Sequence, residues 1–189
     1  MVRNDLWIAE TAREKGMIEP FEGGQVSKGV VSFGVSSYGY DMRISDIFLA
    51  PVFGGQSVLD PKNPESIKYE EVRTSCFALQ PNSFVLARSL EYFRIPRDVL
   101  AIVTGKSTYA RCGVLVNVTP LEPEWEGFVT ISIVNTNSHP VRIYAHEGIA
   151  QVLFLGGDGP CDVSYADKKG KYQAQQHITI SKIDSTPLK

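Results

Sequence analysis

A chain of 189 residues with 43% hydrophobic and 21% charged side chains has the size and make-up of one globular domain with small appendages. Nineteen Lys and Arg against 21 Asp and Glu leave a net charge of −2, which gives no basic footprint for a polymeric nucleic acid, so any phosphate it binds is expected on a small ligand. Charges at Arg3, Asp5, Glu10, Arg13, Glu14 and Lys15 argue against a signal peptide, no apolar run is long enough for a membrane span, and three scattered cysteines without a C-x-x-C pair argue against disulfides and structural zinc; a reduced, cytoplasmic protein is expected.

In chain order, Asn4 or Asp5 caps a short amphipathic helix carrying Leu6, Ile8, Ala9 and Ala12, which Gly16 ends. Helical periodicity is then scarce. Short β-branched and aromatic segments recur between turn signals at 29–33, 38–44, 47–51, 75–79, 84–87, 100–104, 114–118, 128–135, 141–144, 150–155 and 161–165, a pattern that predicts an all-β barrel or double-sheet fold. Residues 54–71 are polar and turn-rich and read as a loop. The whole chain, 1–189, is expected to form one domain, with 168–189 a C-terminal tail.

Within this frame Gly105-Lys106-Ser107-Thr108-Tyr109-Ala110-Arg111 packs a glycine, two cations and two small hydroxyls into one turn, the groups that satisfy phosphate oxygens. The P-loop spacing is absent, because residues 99–104 supply no first glycine. An ordinary charged surface turn accounts for the same residues. Gly170 to Gln176 holds a cation, an aromatic ring and three amides, a set suited to a nucleotide lid, although a frayed terminus has the same look. Gln151, a lone amide within 149–155, must be hydrogen-bonded if buried, whether to a ligand or between strands. Asp41 and Arg43 share a strand face, as an internal ion pair or as ligand contacts.

Read together, Met17-Ile18-Glu19-Pro20-Phe21, Ser36-Ser37-Tyr38-Gly39-Tyr40-Asp41-Met42-Arg43, the Gly105–Gly113 block, Asn117-Val118-Thr119-Pro120, Glu122-Pro123-Glu124-Trp125-Glu126-Gly127, Glu147 to Phe154, Val163 to Asp167 and Gly170-Lys171-Tyr172-Gln173 resemble the dCTP deaminases, relatives of the trimeric dUTPases. The similarity runs nearly end to end in unbroken order. It implies a distorted jelly-roll β-barrel of the dUTPase-like (β-clip) type, a homotrimer with each nucleotide site at a subunit boundary, and hydrolysis of the dCTP C4 amine to give dUTP and ammonia. It also implies Mg²⁺ carried by the triphosphate, no metal held by the protein, and dTTP as a candidate inhibitor. By the same resemblance Ser107 orients the attacking water and Arg111 is the supporting cation. Lys106, Ser107, Thr108, Tyr109, Ala110 and Arg111 hold the triphosphate, Thr130, Ile131 and Ser132 meet the base, and Gln151, Tyr165, Lys171 and Gln175 complete the pocket. The residues agree that zinc is not used: the H-x-E and C-x-x-C of zinc deaminases are absent.

Two positions depart from the family pattern. The family's general base is a glutamate in the strand after Trp-x-Gly, and Thr130-Ile131-Ser132-Ile133-Val134-Asn135 places Ser132 there. Alternation puts Phe128, Thr130, Ser132 and Val134 on one face, so Ser132 points where the glutamate would. A serine cannot act as a base near neutral pH without an adjacent base. The readings that follow are a deaminase with a relocated base or a replaced glutamate, a dUTPase-like or bifunctional enzyme using Asp41 and Mg²⁺ to give dUMP, and a non-catalytic nucleotide-binding trimer. His177 stands where the tail usually has glycine, stiffening the lid, placing an imidazole near the site, or facing solvent.

Overall fold

The computed structural model describes residues 1–52 and 59–183. Asn4 caps α1 (Asp5–Lys15) by accepting from the Trp7 amide at 3.1 Å, and Gly16, at φ 62°, ends it in the left-handed region. Ile8 and Ala12 are buried while Leu6 is 74% exposed, so the apolar face is narrower than the sequence pattern suggests.

Everything else of size is strand. β1 (Ile18–Glu19), β2 (Gly34–Ser36), β3 (Gly39–Val52), β4 (Lys68–Arg73), β5 (Cys76–Leu79), β6 (Phe84–Arg94) and β7 (Val99–Gly105) precede a one-turn helix, α2 (Ser107–Ala110). β8 (Val114–Asn117), β9 (Glu126–Asn135), β10 (Val141–Tyr144) and β11 (Gly148–Gly156) follow. The main sheet runs β7-β11-β3-β6-β9-β8, with β2 and β4 added to β3 and β1 to β6, while β5 and β10 pair separately. Its two ends curl toward each other: a Cβ on Gly105 at the end of β7 would lie 3.2 Å from Val116 of β8, and the sheet nearly closes into the expected barrel.

The interior is filled by alternate residues of these strands, among them Tyr40, Met42, Phe48, Phe93, Ile131, Ile133 and Phe154, all fully buried. A fully buried carboxylate joins them. Glu91 accepts from the Arg43 side chain at 2.7 Å, the Arg43 amide at 2.9 Å and the Tyr40 hydroxyl at 3.2 Å, and burial pushes its pKa up against these opposing hydrogen bonds. It sits at the irregularity where β6 and β9 shift register between Arg88 and Tyr92; there the Ser89 hydroxyl donates to the Glu91 carbonyl and accepts from the Val129 amide.

Several sequence expectations need correction. Residues 38–44 and 47–51 are one strand, because β3 continues through Ser45 and Asp46 by exchanging partners rather than turning. The segment 29–33 is not a strand; Phe33 makes only a bridge to Val26, and the ladder to β3 starts at Gly34. The segment 161–165 is not a strand but irregular, bent at 162–163 and held by Arg97 donating to the carbonyls of Cys161 and Asp162. Part of the expected loop 54–71 falls outside the described residues at 53–58, and its end forms most of β4, recruited by the open edge of β3 despite weak strand patterning. β6 also runs past Ala87 to Arg94, with Glu91 turned into the interior and Arg94 meeting Glu19 outside it at 2.5 Å.

Candidate functional site

β8 stops pairing with β9 at Asn117, opposite Ser132, and the chain then passes through Val118 and Thr119 to Pro120, whose ring removes a ladder donor. The edge of β9 beyond Ser132 is therefore left by β8. The tail meets it further along: the Ala174 amide donates to the Glu126 carbonyl and the Phe128 amide to the Gln175 carbonyl, with a parallel bridge between Gly127 and Gln175. Gly127 makes the approach possible, for its φ is 143° and a Cβ there would lie 2.8 Å from the Gln175 nitrogen. Since Glu126 and Phe128 turn their backbone polar groups to this side, alternation turns those of Thr130 the same way, into the notch between β8 and the tail.

Over this notch lies a cavity of about 690 Å³. Ser132, Thr130 and Leu86 line it from the sheet, Asn117 to Glu122 from the segment leaving β8, and Trp125, Tyr165, Tyr172, Gln175 and Thr179 enclose it. The tail residues are fixed by named bonds. Trp125 Nε1 donates to the Tyr172 carbonyl at 2.9 Å, the Tyr172 amide to the Tyr165 hydroxyl at 3.1 Å, and the Thr179 amide to Thr130 Oγ1 at 3.1 Å. A half-buried aromatic wall beside a free strand edge suits a planar heterocycle that carries both donors and acceptors. Glu122 is the one acidic residue among the described lining residues, and its Oε2 accepts from Lys168 Nζ at 3.0 Å.

Of the residues predicted from sequence, Thr130, Ser132, Tyr165 and Gln175 meet at this cavity. Ile131 is fully buried on the opposite face, so only its backbone could reach a ligand. The Gly105–Arg111 turn lies elsewhere in the chain's structure, around α2. Ser107, Thr108, Ala110 and Arg111 are exposed there, with Arg111 Nη1 donating to the Ser107 carbonyl at 3.1 Å, and Thr108 borders an open depression shared with Tyr144 and Glu147. Tyr109 corrects the expectation: its ring is in the core, its hydroxyl accepts from the Tyr144 amide, and burial pushes its pKa up to about 12.

Lys106 is held back from solvent. Its Nζ lies 2.6 Å from Asp41 Oδ2, which also accepts from Gln25, and the two side chains of the ion pair are 10% and 4% exposed. Asp41 and Arg43 are thus each in an ion pair, though not with one another, Arg43 being bound to Glu91. Gln151, opposite Asp41 in the β11–β3 ladder, donates to Ser36 Oγ at 2.9 Å, an inter-strand contact. Lys171 Nζ donates to the Lys182 carbonyl at 2.7 Å within the tail, and His177 is exposed. Leu86, Asn117, Leu121 and Trp125 were not among the predicted site residues; the signal for them was Thr119-Pro120, which marks where β8 must leave β9.

A family model described as dCTP deaminase-like matches residues 2–157. The chain is 57% identical over 183 residues to a dCTP deaminase of Chloroflexus aurantiacus, covering 97% of this chain and 98% of the relative. It is 56% identical over 182 residues to a dCTP deaminase of Acidobacterium capsulatum, covering 96% and 99%. Among solved structures, the 2′-deoxycytidine 5′-triphosphate deaminase of Agrobacterium tumefaciens superposes with a TM-score of 0.63 at 14% identity, over 82% of this chain and 48% of that one, a likeness of fold.

Proposed function

The chain belongs to the dCTP deaminase family, and on that premise we propose that it hydrolyses the C4 amine of dCTP to dUTP and ammonia, with the base in the cavity between β8, β9 and the tail. The observation that carries this is the unpaired β9 edge at Thr130, opening into a walled cavity beside Ser132. A strand edge offers a backbone donor and acceptor in fixed register, and a pyrimidine presents their complement.

Among the described residues the cavity lining contains no Lys or Arg, whereas the α2 turn holds Lys106 and Arg111 beside an open depression. A triphosphate nucleotide needs both, which supports a homotrimer in which one copy supplies the cavity and its neighbour the α2 turn. Ser107 would then face the water attacking C4, with Arg111 beside it. Mg²⁺ fits this arrangement as a passenger on the triphosphate: Glu122, with its lysine partner, is no cage of carboxylates, and Mg²⁺ binds readily through substrate phosphates and water. It would supply charge neutralisation of the phosphates. Three free thiols and a nucleotide substrate support a cytoplasmic setting, and dTTP, isosteric in its phosphates, is a candidate inhibitor of the same site.

Ser132 favours a second reading, a nucleotide-binding trimer with weak or no chemistry. The dUTPase-like reading, with Asp41 as its candidate, has no observation that favours it, since Asp41 is bound to Lys106 and Gln25. Incubating the protein with dCTP and Mg²⁺ and resolving dCTP, dUTP, dUMP and ammonia separates them. Ammonia release from the unaltered chain is expected; binding of dCTP without turnover would establish the second reading. Ser132→Glu is expected to raise turnover by about 10²–10⁴-fold if position 132 lacks the base, the usual range for general-base catalysis. Failure to bind dCTP would overturn both readings.

A further inference from the structure

Arg88 stands opposite Thr130 in the β6–β9 ladder, on the strand face it shares with the cavity residue Leu86. Its Nη1 donates to the Gln176 carbonyl at 2.7 Å, and its guanidinium carbon lies 4.0 Å from the centroid of the Phe128 ring. The planar cation is therefore held between a ring of β9 and the backbone of the tail. Ile47, Leu49, Arg73, His177 and Ile178 surround it, with Glu71 nearby but already bound to Arg73 at 3.0 Å. Among the described residues Arg88 has no carboxylate partner, and its Nε is buried without an acceptor. Burial lowers its pKa, Arg73 acting in the same direction and Asp46 against it.

A guanidinium placed this way is costly where it stands and is compensated in part by the tail: with the tail lifted, it would return to water, keeping the Phe128 ring of β9 and losing the Gln176 carbonyl. Its carbonyl partner lies at a telling place. Gln176 separates Gln175, which bonds β9 and lines the cavity, from Thr179, whose amide reaches Thr130 Oγ1 on the cavity wall. Arg88 of β6 thus anchors the tail between two of the residues through which it meets the cavity, with Tyr92 of the same strand hydrogen-bonded to the Gln176 side chain. We infer that Arg88 is a positioning residue that latches the tail across the cavity, so that it sets nucleotide affinity rather than the chemical step. The affinity part rests on the reading of the cavity as the dCTP site; the latch does not.

Amide hydrogen exchange on the nucleotide-free full chain tests the latch. In Arg88→Ala and in Arg88→Met, which keeps an apolar stem, the amides of Phe128, Ala174 and Thr179 are expected to exchange about tenfold faster, while amides of β3 and β11 keep their protection and show the fold intact. With dCTP and Mg²⁺, KM is expected to rise about tenfold with kcat reduced less than threefold, the signature of lost binding common to ground and transition states. Unchanged exchange in Arg88→Ala would overturn the inference, as would full tail protection in Arg88→Met, which would make the contact one of packing, or a fall in kcat without a rise in KM. If the unaltered chain fails to bind dCTP, the deaminase reading falls and the exchange comparison alone decides the latch.

Discussion

The cavity under the tail and the cationic turn at α2 are built in opposite ways. The cavity is shaped by backbone: a strand edge left by β8, a glycine that admits the tail, and aromatic walls pinned by Trp125, Tyr165 and Tyr172. The α2 turn is defined by charge, with Lys106 paired to a buried Asp41 and Arg111 exposed to solvent. Among the described residues, one region has walls and no cations, the other cations and only an open depression. If the two are halves of one site, as proposed, that site is complete in sequence and incomplete in any one chain, because motif residues need only be adjacent after assembly.

That contrast can be broken at either end. The largest expected effect is on stability at the α2 side: Asp41→Ala leaves the Lys106 ammonium buried without its partner, and removal of one member of a buried pair costs about 3–5 kcal/mol, read as a lowered denaturation midpoint. The cavity half should show no such sensitivity to its polar residues. Next, Arg111→Ala is expected to raise the KM for dCTP by roughly 10–100-fold through loss of a charge-assisted phosphate contact, with stability unchanged because the side chain is exposed. Mixing this variant with one defective in the cavity, such as Gln175→Ala, sharpens the comparison: co-refolded chains should regain about a quarter of the sites if neighbouring copies each supply one half. No regain in mixed oligomers would place both halves in one chain.

Smaller effects belong to the cavity wall. Trp125→Phe removes the donor to the Tyr172 carbonyl, and the loss of about 1 kcal/mol should appear as a KM raised roughly fivefold. The smallest concerns the 161–167 turn that carries Tyr165. Hydrogen bonding from the Ser164 amide, then from Arg97, holds the Asp167 carboxyl below the usual range. A depressed carboxylate contributes above its unfolded value of about 3.9 and ceases to contribute as the pH falls through the folded value, so the turn should loosen only in more acid solution. Titration of the Tyr165 ring signals by NMR would follow this, and Asp167→Asn should abolish it.

Legibility from sequence follows the range of the interactions. The α1 cap and stop were plain because Asn4 and Gly16 act within one turn, and the two faces of β9 were plain because alternation needs no partner. β4 and the second half of β6 were missed because charged residues conceal strands whose stability comes from a neighbour's open edge. Thr130, Ser132, Tyr165 and Gln175, singled out from the sequence, line one cavity. Lys106 and Gln151, also singled out, lie outside this cavity, and their bonds to Asp41 and Ser36 could not be anticipated from spacing, since the partners lie 65 and 115 residues away.

By itself, the sequence determined the family, the all-β class, and the serine at position 132, each carried by residue identity and short-range order. Only the tertiary structure decided that Tyr109 and Ile131 turn into the core, that Pro120 opens the β9 edge, and that Arg88 meets the tail. Those outcomes depend on which strands become neighbours, and a strand's period of two says which residues share a face but not what that face will meet.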